Sequence, residues 1–587
     1  MQHRGMCPDS HPPLLPRPPA RAGGFWRAAL AWAAAAALLV GCGGGSGGSG
    51  SPSDALPAEP TSALDATRLA QQASFGATEA LVQQIAAQGA RPWLQAQFAL
   101  NRSRYRSGGD AGIHQWDRQD SDFCSDKGDS CWRDYHSTQP LLWDFYRNAI
   151  GQPDQLRQRV AYALQQILVV SGHTVHSTYG LRRYHNLLLE QAFGNYRELL
   201  RRVILSPVMG DYLNQVNNHR DAPNENFARE LLQLFTLGTC RLEMDGRLSG
   251  GSCRPTYDNA GVRALAYALT GWTYPAGGRS PWGCWPEGAR CPFHDGDLSP
   301  VPAFHDTAAR SLPGGVELAA GHSPAQALER VLDALMQHPN LAPFIGRQLI
   351  QHLVTSNPSP AYVQRVAQAF NRGRHDLFGS GRVGDLQATV AAILLDEEAR
   401  GEGRRGARFG RLREPVLYFT GVLRALNGHS DGEALGWWWG EALRQQLFLS
   451  PSVFNFYPPD HPLPGQGERA GPPFALQGTA AAIDRFNFLH YLLFWGGTAA
   501  ADSQVPQPLG TGVALESFLA DATDPARLVD RLSRLAQGEP LPTVARQAVI
   551  QAVTAIDAQV DPSDWRAHRV RQAAWLVLGS PYFQIQR

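Results

Sequence analysis

From Ala63 onward the apolar residues recur at spacings of three and four rather than two, the pattern of helices that each bury one stripe. Leu64, Leu69 and Phe75 lead to a turn at Gly76, after which Leu81, Ile85, Trp93, Leu94 and Phe98 keep the helical spacing. Residues 157–170 set Val160, Leu164, Ile167 and Leu168 on one stripe. The same pattern predicts helices over 184–200, 223–237, 257–269, 325–337, 343–355, 362–370, 386–400, 414–426, 480–493 and 567–578. Strand-like alternation is scarce. The expected fold class is therefore mostly α, a large multi-helix body with long irregular loops and helices packed in antiparallel or oblique pairs. The rhythm breaks at 271–315, rich in Gly, Pro and Trp, at the Gly/Arg stretch 371–384 and at the Pro-rich stretch 457–473. None of these reads as a flexible linker, yet the length exceeds what one core usually supports. We expect one helical body over 62–587 with two lobes meeting near 401–413.

The segment before this body follows a different rule. An apolar run over 28–40 comes after Arg17, Arg21 and Arg27 and ends in Leu39-Val40-Gly41-Cys42. A run this short with a basic head is a signal core rather than a membrane span. Residues 1–42 read as a lipoprotein signal peptide, with Cys42 the lipobox cysteine that is acylated; a chance cysteine in an alanine-rich leader is the alternative. Gly- and Ser-rich residues then open a flexible tether over 43–61. This predicts a lipid-anchored protein of the cell envelope, and Gly43 and Gly44, where an acidic retention signal is lacking, direct it to the outer membrane if the host is Gram-negative.

Composition sharpens the picture. The chain is 43% hydrophobic, with 15 Trp, 24 Phe and a formal charge of +1, so it can bury a large core and carries no electrostatic footprint for nucleic acid. Lys127 is the sole lysine, which excludes Schiff-base chemistry and a P-loop. Outside the leader, Cys124, Cys131, Cys240, Cys253, Cys284 and Cys291 fall as three close pairs in Gly-, Ser- and Pro-rich loops. Six cysteines allow many connectivities, but short loops close at least entropic cost, so 124 with 131, 240 with 253 and 284 with 291 are expected as disulfides. Each would add about 2–3 kcal/mol. Zinc is the rival, and the spacing lacks its tight Cys-x-x-Cys.

Several ordered blocks carry a resemblance. They are Asn224-Glu225-Asn226-Phe227-Ala228-Arg229-Glu230-Leu231-Leu232-Gln233-Leu234-Phe235-Thr236-Leu237-Gly238, then Ala268-Leu269-Thr270-Gly271-Trp272-Thr273, Phe304-His305-Asp306, His338-Pro339-Asn340 with Arg347-Gln348-Leu349, Arg413-Glu414-Pro415 and Pro451-Ser452-Val453-Phe454. From Ala63 to Arg587 the chain resembles a large bacterial family known as domain of unknown function 1800. The resemblance implies an exported helical protein of no established activity and suggests a secreted sulfatase-like protein as partner. The disulfide loops and the lipobox depart from the family pattern.

Two polar constellations are candidates for chemistry. Asn224 is suited to cap a helix, and four-residue spacing sets Glu225 with Arg229 and Asn226 with Glu230. The group is either a capped, ion-paired helix face or a site in which Glu225 or Glu230 acts as acid, base or metal ligand. His294-Asp295 and His305-Asp306 lie in loops, and His338 lies at a helix junction; a loop His beside an Asp either caps a turn or binds metal or moves protons. His173, His176 and His185 form a less specific group. No His-Glu-x-x-His occurs, nor a Cys-x-x-Cys-His. Gly44-Gly45-Ser46-Gly47-Gly48 and Gly401-Glu402-Gly403-Arg404-Arg405-Gly406 match known fingerprints but lack the strand–helix context those need. Aromatic residues around Trp272, Tyr274, Trp282, Trp285 and Phe293, and at Trp437, Trp438 and Trp439, either brace loops or offer flat faces to a ligand.

Two functions follow. In the first the protein is a lipid-anchored binding or assembly factor that acts with a secreted partner through Asn224, Asn226, Arg229, Trp272 and Asp306. In the second it is a periplasmic or surface hydrolase with Glu225, Glu230, His294 and His305 in one cleft. No cofactor is predicted, and a divalent metal is left open.

Overall fold

The computed structural model describes residues 56–110, 123–280, 283–401 and 409–587. Cys42, most of the tether, Trp282 and the Gly/Arg fingerprint after Gly401 lie outside the described residues. So does part of the expected lobe junction. Ala55–Arg587 forms one compact unit.

The body is mostly α-helical, and the strands among the described residues form only two-stranded sheets. One buried cluster runs from Ala66 to Phe583, so the apolar stripes of all the major helices drain into a shared core. Helix Ala63–Ala73 packs on Glu79–Gln88, Gln155–Ile167 and Pro525–Gln537. Helix Gln155–Ile167 also packs on Thr178–Gln191 and Leu341–Leu353, and the last of these leans on Pro360–Arg372. Helix Trp565–Gly579 closes the far side against Thr479–Leu493 and Pro525–Gln537.

Local chemistry sets the helix ends. Ser62, Thr78, Ser177, Asp258 and Ser359 each accept a backbone N–H of the first turn. The predicted helix over 184–200 is two helices, Thr178–Gln191 and Tyr196–Ile204, because Gly194 breaks the first and Asn195 caps the second. Asp396 likewise splits 386–400 by accepting the Glu398 N–H. Helices Gln139–Gly151 and Thr543–Thr554 were not among the predicted ones.

The three expected disulfides are present: Cys124–Cys131, Cys240–Cys253 and Cys284–Cys291. Within 271–315 short strands pair Trp272 with Pro300 and Arg310 with Leu318, so the insertion is pinned at its base. Among the described residues no helix is long and apolar enough to cross a membrane.

Candidate functional site

The polar helix begins at Asn226. Asn224 Oδ1 accepts the Asn226 N–H at 2.9 Å in a turn one residue ahead of the helix, whose N-cap is Glu225 and has no side-chain capping bond, so the cap expected of Asn224 is not formed. Phe227, Leu231 and Leu232 fill the buried face, each worth roughly 1.5–3 kcal/mol. Glu225 pairs with Arg229 at 3.1 Å on the exposed side, and Asn226 Nδ2 donates to Asn214 Oδ1 at 2.9 Å. Glu230 is half-buried, and its Oε2 is buried with no hydrogen-bond partner. Burial raises its carboxyl above the ordinary range, against the pull of Arg229.

The histidines are occupied elsewhere. His294 is sealed, with its Nε2 2.7 Å from Asp211 Oδ2, while the Tyr274 hydroxyl donates to Asp211 Oδ1. Helix Thr178–Gln191 presses on this ring, and a Cβ at Gly180 would stand 2.3 Å from His294 Nδ1. His305 Nδ1 donates to the Thr270 carbonyl at 2.8 Å, and its Nε2 lies 3.0 Å from His322 Nδ1. Burial lowers the basicity of His305, with the Thr270 contact opposing. Asp306 pairs with Arg310 at 2.8 Å, and Arg310 covers the Tyr267 ring. Asn218 does join these segments, since its Nδ2 donates to Asn224 O and its carbonyl accepts the Gly271 N–H. The carboxylates of Glu225 and Glu230 nevertheless have neither His294 nor His305 as a hydrogen-bond partner.

Trp272 is buried, so it cannot present a face to a ligand; Trp285, Trp437 and Trp438 are exposed. His185 packs against Phe448, and burial pushes it down to about 3. His338 Nδ1 accepts the Asn340 N–H at a helix end. Among the described residues no group of three or more His, Cys, Asp or Glu side chains is placed to hold a metal.

A groove of about 560 Å³ runs beside His294. Its charges are largely self-paired, Arg183 with Asp295 at 3.0 Å and Arg202 with Glu190 at 3.1 Å. With the His294 ring sealed, this groove exposes no imidazole base.

A second cleft has different chemistry. An outer chamber of about 220 Å³ and an inner one of about 40 Å³ adjoin, sharing Leu234, Phe344, Gln348, Gln351, Phe454 and Pro459 as walls. Arg347 and Asp460 line the outer chamber; Gln166, His352, Arg411 and Tyr457 line the inner one. Behind it lies Glu414, at the start of helix Pro415–Ala425, where Pro415 costs no hydrogen bond. Glu414 Oε1 accepts from Arg411 Nη2 at 3.0 Å, and Oε2 accepts from the Tyr457 hydroxyl and from Gln445 Nε2 at 2.8 Å. Burial alone would raise this carboxyl; Arg411, Tyr457 and Gln445 outweigh it and hold it below the ordinary range.

Positive charge is in surplus here. Arg159 Nη2 donates to His352 O at 2.6 Å, and Arg411 Nη1 donates to the same carbonyl. Arg413 donates to Phe583 O and stacks on the Phe583 ring. Thus Arg159 and Arg411, both buried, face one carboxylate, with buried Arg413 close enough to Arg411 and Arg159 to add to the positive charge. Burial, with Arg411 adjacent, lowers Arg159 to about 10 and Arg413 to about 9, so both stay charged at neutral pH. Burial and the same arginines push His352 down to about 3, so it is neutral.

The walls come from separate ordered blocks, with Leu234 and Gly238, then Phe344 and Arg347-Gln348, then Val453 and Phe454, and Arg411 in front of Glu414 at the floor. The profile of a family described as "Protein of unknown function (DUF1800)" matches residues 68–585. The chain belongs to this family. No curated protein and no solved structure matches it. The sequence did hold a signal for the cleft that the apolar periodicity passed over. Arg159, Tyr162 and Gln166 lie three and four residues apart, a polar stripe on helix Gln155–Ile167 that aims at Glu414.

Proposed function

We propose that this DUF1800 protein is a lipid-anchored binding or assembly factor of the cell envelope that works with a secreted sulfatase-like partner and receives its ligand in the cleft under Phe454. The observation that supports it is the floor of that cleft. Both Glu414 oxygens are engaged by fixed donors and His352 is neutral, so the site holds charge rigidly rather than offering a mobile acid or base. The hydrolase alternative needs a glutamate acting with a histidine, and Glu225 and Glu230 have other neighbours. Phe454, 41% exposed at the mouth, is the residue to test. Phe454→Ser should abolish co-purification of the sulfatase-like protein from native envelopes, while Trp285→Ser should leave it intact. Cys42→Ser should release the protein from the membrane fraction. Capture unchanged by Phe454→Ser, or hydrolytic turnover lost on Glu230→Gln, would overturn the binding reading.

A further inference from the structure

We infer that the inner chamber binds the oxyanion head, a carboxylate or sulfo group, of a ligand whose apolar body rests in the outer chamber; this rests on the binding reading above.

The donors point to such a head. Arg411 lines the chamber, is 2% exposed and has its Nε buried without a partner. Gln348 lines both chambers, and its Nε2 is also buried without a partner. Arg159, wholly buried one layer behind, has Nε and Nη1 unpartnered. Buried N–H groups left unpaired are costly, and buried cations more so. Glu414 cannot relieve them, because its oxygens are taken by Arg411, Tyr457 and Gln445. An incoming anion supplies what is missing, an acceptor for the idle donors and a counter-charge for the surplus guanidinium groups. The planar guanidinium fork can pair two oxygens at once, whether of a planar carboxylate or of a tetrahedral sulfo group.

Size sets the second half of the assignment. One water needs roughly 10–15 Å³ of cavity, so the inner chamber of about 40 Å³ has room for about three. That admits a carboxylate or sulfo head and excludes a sugar ring. The outer chamber, with Leu234, Phe344 and Phe454 on its walls, offers apolar surface to the remainder.

The experiment titrates the purified full chain calorimetrically with phenylacetate, phenyl sulfate and benzyl alcohol, which share a ring and differ in the head. At least one acid should bind at least tenfold more tightly than the alcohol, and the order of the two acids identifies the head. Arg411→Met should remove the preference for acid. Gln348→Leu, which leaves every charge in place, should weaken the acids several-fold without changing the alcohol, and it decides the matter if Arg411→Met does not fold. Equal binding of acid and alcohol would overturn the oxyanion assignment and leave the cleft as a binding site. No binding of any probe would overturn it as well, and persistent dependence of partner capture on Phe454 would then show that the binding reading survives alone.

Discussion

Replacing Glu414 by Gln preserves shape and removes the carboxylate that the buried guanidinium groups of Arg411 and Arg159 face. Its side chain is 0% exposed and that of Arg411 1%, so the loss is not screened by water. Removing one partner of such a pair costs about 3–5 kcal/mol, because the other charge is left buried and uncompensated. The amide also brings an N–H₂ toward Gln445 Nε2, which is itself a donor. With roughly 2.1 cal/mol/K of unfolding entropy per residue over Ala55–Arg587, that loss lowers Tm by about 3–5 °C. Urea unfolding at pH 7 measures it directly. The pH dependence gives a second check. The folded carboxyl lies below its unfolded value of about 4.3, so its stabilisation is fully present above pH ~4.3 and is lost as pH falls through the folded value. The gap between wild type and Glu414→Gln should therefore close in acid. A difference below about 1 kcal/mol at pH 7, or one that stays constant down to pH ~3, would refute the reasoning.

Glu230→Gln should act in the opposite direction, raising the urea midpoint at pH 7, because the folded carboxyl lies above its ordinary value and the charged form is disfavoured. Its gain should vanish below pH ~4.3, where the unfolded carboxyl is also protonated; a stability loss at pH 7 would show a partner for Oε2. Gly180→Ala drives a methyl group into His294 and should cost about 1–3 kcal/mol by thermal melting. Non-reducing peptide mapping should recover the three local disulfides, and reduction should speed hydrogen exchange within 271–315 before the helical body loosens.

Helix positions were legible because burial of one stripe repeats at a fixed period, as in Gln155–Ile167 and Leu341–Leu353. Breaks inside long apolar runs were less so, since Asn195 and Asp396 act through single side-chain hydrogen bonds that a periodicity does not register. The disulfides could be read from loop length alone. The cleft was legible only in part, through the polar stripe of Arg159, Tyr162 and Gln166. Its floor joins Arg159, His352, Arg411, Glu414 and Tyr457 from several parts of the chain, and no single stretch of sequence shows that they meet. Glu225, Glu230, His294 and His305 drew attention because each stands in a dense local run of polar residues. Local density marks caps and turns as readily as it marks sites.

Arg411 and Leu412 are held in place by a strand that arrives late. Residues 585–586 pair with them, Gln586 Nε2 donates to Leu353 O, Arg413 N–H donates to Gln584 O and Arg485 ties to Gln584. A chain synthesised from its N-terminus thus has its arginine wall well before the segment that fixes it. The cationic pocket is therefore complete only once residues 584–586 have docked on 411–413. The same clasp gives a handle on timing. Proteins cut back past residue 584 should still collapse into helices while losing the cleft, which separates folding of the scaffold from completion of the site.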